Sequence, residues 1–234
     1  MGSCTTDAGA REELRALMES RAHVYDLLSR CFETEVTPEF AESLAHAFAF
    51  ETDDEALAES FAQMRAKLDG IDADGIERLA VVFDRVFFGM GPRAAQKAFP
   101  YESVYTSDRG IMMQDAYSEA TRLYRTMRLR KNERFTEPED HLAVELAFMA
   151  LCARQASEAL ATGDEDAVAA SVRGQAAFLE GHLLNWLPRF CADLRKGAEE
   201  GFYLHLADFL LRFAESDRAF LRDLVGQEQE RGQA

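Results

Sequence analysis

Residues 136–163 have the sequence TEPEDHLAVELAFMALCARQASEALATG and carry the strongest helical pattern in the chain. Apolar side chains recur there every three or four positions, which is the spacing of one face of an α-helix. Thr136 and Glu139 have the spacing of a capping box, and Pro138 stands in the first turn, where a missing N–H does no harm. The stretch therefore predicts a helix over residues 137–161.

The same helical period continues through most of the 234 residues. No segment shows the alternation of apolar and polar residues that is typical of a strand. Further helices are predicted near residues 14–32, 38–50, 54–70, 72–88, 112–129, 164–187 and 202–225. We therefore predict an all-α fold: one globular domain over residues 1–234, with about eight to ten helices and a polar tail at 226–234.

One long stretch interrupts the helical period. Residues 89–110 contain three glycines and two prolines and form a predicted loop of some 20 residues, a length that is usually functional or disordered. Three aromatic residues, Phe99, Tyr101 and Tyr105, argue against disorder. Their rings either form a recognition surface, as tyrosines often do, or fill the core of the domain.

Composition excludes several classes of partner. The formal net charge is −16, whereas binding to nucleic acid or to an anionic membrane requires clustered Lys and Arg. An acidic surface suits a basic peptide, and it also suits ordinary solubility. The basic cluster at 125–134 follows a predicted helix, where cations complement the helix dipole.

The cysteines and the hydropathy pattern point to a cytoplasmic protein without membrane insertion. The four cysteines are scattered and form no Cys-x-x-Cys pair, so we expect neither a zinc site nor a disulfide framework. No apolar stretch of about 18 residues appears, and residues 1–10 lack the apolar region of a secretory signal.

Glu137, Asp140 and His141 crowd one helical turn without an obvious structural duty. A metal site needs at least three convergent ligands, and the Glu-x-x-His pairs of di-iron bundles are absent from the sequence. An Asp–His couple can serve in acid–base catalysis, but no nucleophile motif or phosphate loop accompanies it. Carboxylates that accept bidentate hydrogen bonds from arginine fit better, and a mere capping turn remains the alternative.

Five motifs in order resemble those of the TorD/DmsD chaperone family, the redox enzyme maturation proteins. FDRVFFG at 83–89 resembles its aromatic-x-x-Leu-Phe-x-Gly element, and PYESVY at 100–105 matches its Pro-aromatic-x-Ser-x-aromatic loop. EPEDH at 137–141 matches the Glu-x-x-Asp-His signature in full. Residues 182–190 resemble the His-Leu…Trp…Phe segment, a stripe that spacing alone assigns to the core, and 202–203 the Phe-Tyr that opens the last long helix.

This resemblance implies an all-helical, non-enzymatic cytoplasmic chaperone without a cofactor. Such proteins bind the twin-arginine signal peptide of a molybdopterin-dependent oxidoreductase and hold the apoenzyme back from export until its cofactor is inserted. The positions carried over as the peptide-binding site are Phe83, Phe87, Tyr101, Ser103, Tyr105, Glu137, Pro138, Asp140 and His141.

The expected mechanism places Glu137 and Asp140 against the paired guanidinium groups of the peptide. Tyr101, Tyr105 and a wall that contains Phe83 and Phe87 would take its apolar run, as in other helix-in-groove complexes. The alternatives are an assembly chaperone for a client that is not exported, as in nitrate-reductase assembly, and a small hydrolase that uses Asp140 and His141.

Two positions depart from the family pattern. Phe83 stands where close relatives often have Trp, and the segment 93–97 is polar where some relatives are apolar. Both departures affect the identity of the client more than the class of protein. The long 89–110 loop permits a monomer or a domain-swapped dimer.

Overall fold

The fold is described from a computed structural model, in which residues 3–90, 97–132, 134–198 and 201–231 are described. These residues form ten α-helices and one π-helical turn and contain no strand, which confirms the all-α prediction. The α-helices are α1 Ser3–Glu33, α2 Pro38–His46, α3 Glu55–Ala66, α4 Ala73–Phe87, α5 Glu102–Thr106, α6 Asp115–Thr126, α7 Leu142–Thr162, α8 Glu165–Phe178, α9 Leu187–Ala198 and α10 Phe202–Arg231.

Helix α7 lies at the centre of the fold because both its faces are covered. It packs along most of α1 on one side and against α8 on the other. Helix α10 packs against α3, α8 and α9 and encloses the rest of the core. The side chains of α7 are therefore buried on most of its circumference, which agrees with its largely apolar sequence.

Short polar residues start several of the helices. Asp54, Asp72 and Asp164 accept hydrogen bonds from backbone N–H groups in the first turns of α3, α4 and α8. Gly163 ends α7 with a left-handed φ of 74°, a conformation that a side chain at this position would strain.

A buried ion pair joins α1 to α10. The guanidinium of Arg21 donates two hydrogen bonds to the Asp217 carboxylate, at 2.5 and 2.9 Å, and the Tyr25 hydroxyl donates a third at 2.6 Å. The side chains of Arg21 and Asp217 are 8% and 2% exposed. A buried carboxylate needs such partners, because its desolvation is otherwise uncompensated.

Aromatic rings fill the space where α1, α4, α9 and α10 meet. The Phe87 ring lies 5.6 Å from that of Phe32, 6.4 Å from Phe190 and 5.6 Å from Tyr203. Phe83 packs on Phe87 at 4.9 Å. Phe83 and Phe87 are thus both buried core residues of the folded protein.

The central helix begins later than predicted. Residues 136–141 form turns rather than a first helical turn, and α7 starts at Leu142 with His141 as its N-cap. Thr136 and Glu139 therefore do not form the capping box at the start of α7. The reason is that the backbone on both sides of His141 pairs with the segment near Tyr101 instead of continuing a helix.

Other boundaries also differ from prediction, and α1 begins at Ser3, well before residue 14. The predicted 89–110 loop contains the short helix α5, while its residues 91–96, and with them most of the polar segment 93–97, lie outside the described residues. The helix predicted over 164–187 ends at Phe178 and passes through the π-helical turn Leu179–Leu183 before α9. The predicted polar tail continues α10 to Arg231, and residues 232–234 are not described.

Over the described part of the chain, no helix combines the length and the apolar character that a bilayer crossing requires. The cysteines at 31, 152 and 191 are free and buried. Burial raises the pKa of each of these thiols to about 12, so they behave as small apolar groups.

Candidate functional site

Two segments that are far apart in sequence meet through their backbones. Tyr101 and His141 form an isolated antiparallel bridge. The Glu102 N–H donates to the Asp140 carbonyl at 3.0 Å, and the Leu142 N–H donates to the Pro100 carbonyl at 2.8 Å. The PYESVY loop and the EPEDH turn, both predicted as site segments, are thereby joined into one structural unit.

Asp140 ties the same two segments together with its side chain. Its Oδ2 accepts the Ser103 N–H at 3.1 Å, while Oδ1 is buried without a hydrogen-bond partner among the described residues. The Ser103 hydroxyl in turn accepts the Gln114 N–H at 3.0 Å. Burial raises the pKa of Asp140, and its hydrogen bonds to Ser103 oppose this rise. Asp140 is fully buried, so its present contacts hold the loop in place.

His141 is a structural cap whose ring is held in the neutral form. Its Nδ1 accepts the Ala143 N–H at 3.1 Å, which leaves the proton on Nε2. The rings of Tyr101 and Phe135 flank it edge-on at 5.0 and 5.1 Å. Burial, assisted by the positive charge of Lys131, lowers the pKa of His141 to about 3.

This pKa predicts a specific loss of stability in acid. The unfolded chain protonates His141 near pH 6.5, whereas the folded protein resists protonation down to about pH 3. The contribution of neutral His141 to the free energy of unfolding is therefore full above pH 6.5. It is lost as the pH falls from 6.5 toward 3, by about 2 kcal/mol at pH 5.

The matched control is His141→Asn, because asparagine caps helices well and does not titrate in this range. Urea unfolding at pH 7 and pH 5 should show that the wild type loses about 2 kcal/mol more than the variant. Equal losses in the two proteins would contradict the assignment of a neutral, buried His141.

Glu137 lies at the partly exposed edge of the joined segments. Its Oε2 accepts a hydrogen bond from the Tyr101 hydroxyl at 2.5 Å, and the Lys131 ammonium donates to its backbone carbonyl. Lys131 also lies 3.7 Å from Glu139. Glu137 and Pro138 are both half-buried, so this edge combines an oriented carboxylate with access to solvent.

The structure brings together five of the nine predicted site residues directly. Tyr101, Ser103, Glu137, Asp140 and His141 are connected by the contacts described above, and Pro138 lies within the same turn. Tyr105 is one turn of α5 away. Its ring stacks on Trp186 at 5.4 Å and meets Phe190 edge-on at 6.0 Å.

The two remaining residues, Phe83 and Phe87, lie within the aromatic core. They reach the loop only indirectly, because Phe190 contacts both Phe87 and Tyr105. Trp186 and Phe190 are completely buried, as their spacing predicts for core residues.

A groove of about 410 Å³ runs between α1 and α7 and is closed on one side by the segment after α6. Its floor is mainly apolar, with Tyr124, Leu129, Phe135, Val144, Phe148 and Leu151. Asp26, Glu33, Arg30, Arg130 and Lys131 line it as well. Because Phe135 also contacts His141, the groove is continuous with the EPEDH turn.

Sequence reasoning missed a second polar cluster below the loop. Glu102 accepts a hydrogen bond from Asn185 at 2.8 Å, and its other oxygen lies 2.9 Å from Nδ1 of His182. That contact raises the pKa of His182, against the effect of burial. Glu145 lies beside them, is fully buried and has no hydrogen-bond partner for either oxygen among the described residues. The signal that was available is Glu145 itself, a carboxylate in the most apolar helix of the chain.

Sequence comparison with known proteins assigns the chain to a family. Residues 51–192 match the family described as nitrate reductase delta subunit. The chain is 34% identical over 124 residues to a chaperone protein TorD of Photobacterium profundum, an alignment that spans 53% of this chain and 56% of that protein. Longer alignments relate it to proteins of the same name from Vibrio parahaemolyticus, 28% identical over 90% of this chain and 98% of the relative, and from Vibrio cholerae, 26% identical over 92% and 97%.

Proposed function

Because this chain belongs to the nitrate reductase delta subunit family, together with relatives named TorD, we propose that it is a chaperone for the maturation of a molybdenum-dependent oxidoreductase. Membership confirms the predicted resemblance to the TorD/DmsD family. It also makes the chain a chaperone rather than an enzyme, which removes the hydrolase alternative for Asp140 and His141. The proposed place of action is the cytoplasm, before the client is exported.

We further propose that the chain binds the twin-arginine signal peptide of this client. The observation that carries this proposal is the partly exposed Glu137 carboxylate, oriented by Tyr101 and placed beside the apolar groove between α1 and α7. A twin-arginine peptide has two guanidinium groups followed by an apolar run. The Glu137 carboxylate complements the guanidinium groups of the peptide, and the groove between α1 and α7 complements its apolar run.

Burial changes the roles that the remaining predicted site residues take in this proposal. Asp140, Ser103 and His141 are buried and act by fixing the loop and the turn against each other. Tyr101 orients Glu137, and Tyr105 supports the loop from the Trp186 side. The Asp140 carboxylate is thus a positioning group in this conformation, whereas Glu137 is the group that meets arginine.

Phe83 and Phe87 contribute through the core, by holding α4 against α9 and α10. They become contacts of the peptide only if it displaces part of that packing. A rigid protein would therefore bind the apolar run of the peptide in the groove and not at these rings.

A second candidate function follows from the description of the matched family. The matched family is described as nitrate reductase delta subunit. In this second proposal the client is a nitrate-reductase-type enzyme that carries no exported signal. The chaperone would then recognise another basic, amphipathic segment of the client with the same groove.

Co-purification separates the two candidates. The tagged chain, isolated from its native cell extract, should carry a molybdoenzyme catalytic subunit with an unprocessed N-terminus, identified by mass spectrometry. Deletion of the twin-arginine segment from that subunit should abolish the complex. A complex that survives the deletion would favour the second candidate, and the absence of any oxidoreductase would contradict both.

A further inference from the structure

The polar cluster beneath the PYESVY loop contains two buried carboxylates, and the neighbouring side chains do not neutralise both of them. Glu102, Glu145 and His182 each offer a ligand atom, and these atoms lie within 4.8 Å of one another. Asn185 and His182 account for both oxygens of Glu102. Neither oxygen of Glu145, which is 0% exposed, has a hydrogen-bond partner among the described residues.

A buried carboxylate without partners calls for a proton or a cation. Burial, together with the adjacent Glu102 carboxyl and the charge of Asp140, raises the pKa of Glu145 well above its ordinary value, and the nearby Trp186 side chain opposes this rise. Unsatisfied buried polar groups are rare in folded proteins, and an ion that completes the site is one established explanation.

The type and number of ligands favour a cation. Two carboxylates and one imidazole are a donor set that zinc and other divalent transition metals accept. Ligands at about 2.1 Å in tetrahedral geometry lie about 3.4 Å apart, so small side-chain adjustments bring these three atoms into range. The His182 side chain is 17% exposed and offers an entry path from solvent.

We propose that Glu102, Glu145 and His182 bind one divalent transition-metal ion. The three ligands come from α5, α7 and the π-helical turn. The ion would therefore connect the PYESVY loop to α7 and to the π-helical turn. This inference concerns a site separate from the peptide-binding edge at Glu137, and its failure would leave the proposed function intact.

Two probes report directly on this site. The chain is treated with EDTA, dialysed and titrated with Zn²⁺ or Co²⁺, in a Cys4→Ser background that removes the N-terminal thiol. Trp186 is the only tryptophan, and its indole N–H donates to the His182 carbonyl at 2.6 Å. We expect Co²⁺ to quench its fluorescence with a stoichiometry of one and to give a visible d–d absorption band. Zn²⁺ at about 100 times its Kd should raise Tm by roughly 5–10 °C.

Three variants assign the ligands. Glu145→Gln and His182→Gln should each weaken the binding of Zn²⁺ by at least about tenfold. Glu180→Gln is the matched control, because Glu180 lies in the same π-helical turn but pairs with Arg222 at the surface. It should bind like the wild type.

Two results would overturn the proposal. The first is the absence of saturable Zn²⁺ or Co²⁺ binding by the wild-type chain. The second is equal binding by the wild type and by both ligand variants, with circular dichroism showing that they are folded. In either case Glu145 holds a proton rather than a metal.

Discussion

Substitution of Arg21 by Met should lower the free energy of unfolding by about 3–5 kcal/mol. The variant leaves the Asp217 carboxylate 2% exposed, between two helices, with the Tyr25 hydroxyl as its remaining partner in this network. The attraction between the two ions then no longer offsets the desolvation of Asp217. For a chain of this length, the loss corresponds to a fall in Tm of about 10 °C or more, measurable by calorimetry or by circular dichroism.

The double variant Arg21→Met, Asp217→Leu separates charge from packing. It removes both ions and fills the space with apolar side chains, so it should recover most of the lost stability. The surface pair of Arg195 and Asp208, joined at 2.7 Å but about one-third exposed, is the matched control. Arg195→Met should cost about 1 kcal/mol or less. Similar losses in Arg21→Met and Arg195→Met would contradict the assigned role of the buried pair.

Helix positions were predictable wherever one face of the helix is buried. The apolar period located both ends of α4 and the C-terminal ends of α1 and α7 to within a residue, but α1 begins at Ser3, far ahead of residue 14. The aspartates before α3, α4 and α8 cap these helices, which is the local chemistry that helix starts favour. Gly163 ends α7 in the left-handed conformation that glycine favours. These features depend on neighbours in sequence, so local rules suffice for them.

The start of α7 was not predictable because a distant segment determines it. The capping-box spacing of Thr136 and Glu139 is a valid local signal, but the backbone groups of Asp140 and Leu142 bond to the loop at 100–102. Pairing across almost 40 residues leaves no periodic trace in the sequence.

The meeting of PYESVY and EPEDH could be predicted, but the burial of their residues could not. Two of the five motifs that suggested the family, PYESVY and EPEDH, meet at Tyr101 and His141, whereas the other three contribute residues to the core. The expected mechanism, however, placed Asp140 against a guanidinium group of the peptide, which requires an accessible carboxylate. Asp140 and Glu145 are both buried because distant segments of the chain cover them. Only the tertiary structure shows which segments do so.

Replacement of Glu137 by Gln should weaken binding of a twin-arginine peptide by about 30-fold or more, which corresponds to about 2 kcal/mol. Glutamine keeps an oxygen that can accept the Tyr101 hydroxyl, so the edge keeps its shape while losing its charge. Titration of a fluorescently labelled peptide, at low and at high ionic strength, measures the effect. The wild type should lose affinity as salt rises, and the variant should lose less.

A peptide with Lys-Lys in place of Arg-Arg tests whether geometry matters as well as charge. A carboxylate held by Tyr101 suits the planar fork of a guanidinium, so the wild type should prefer the arginine peptide and Glu137→Gln should lose most of this preference. Glu158→Gln, an exposed carboxylate on α7, changes net charge equally and should bind like the wild type. Should Glu158→Gln weaken binding as much as Glu137→Gln, the overall charge of −16 would explain the attraction, and Glu137 would not be the arginine-binding group.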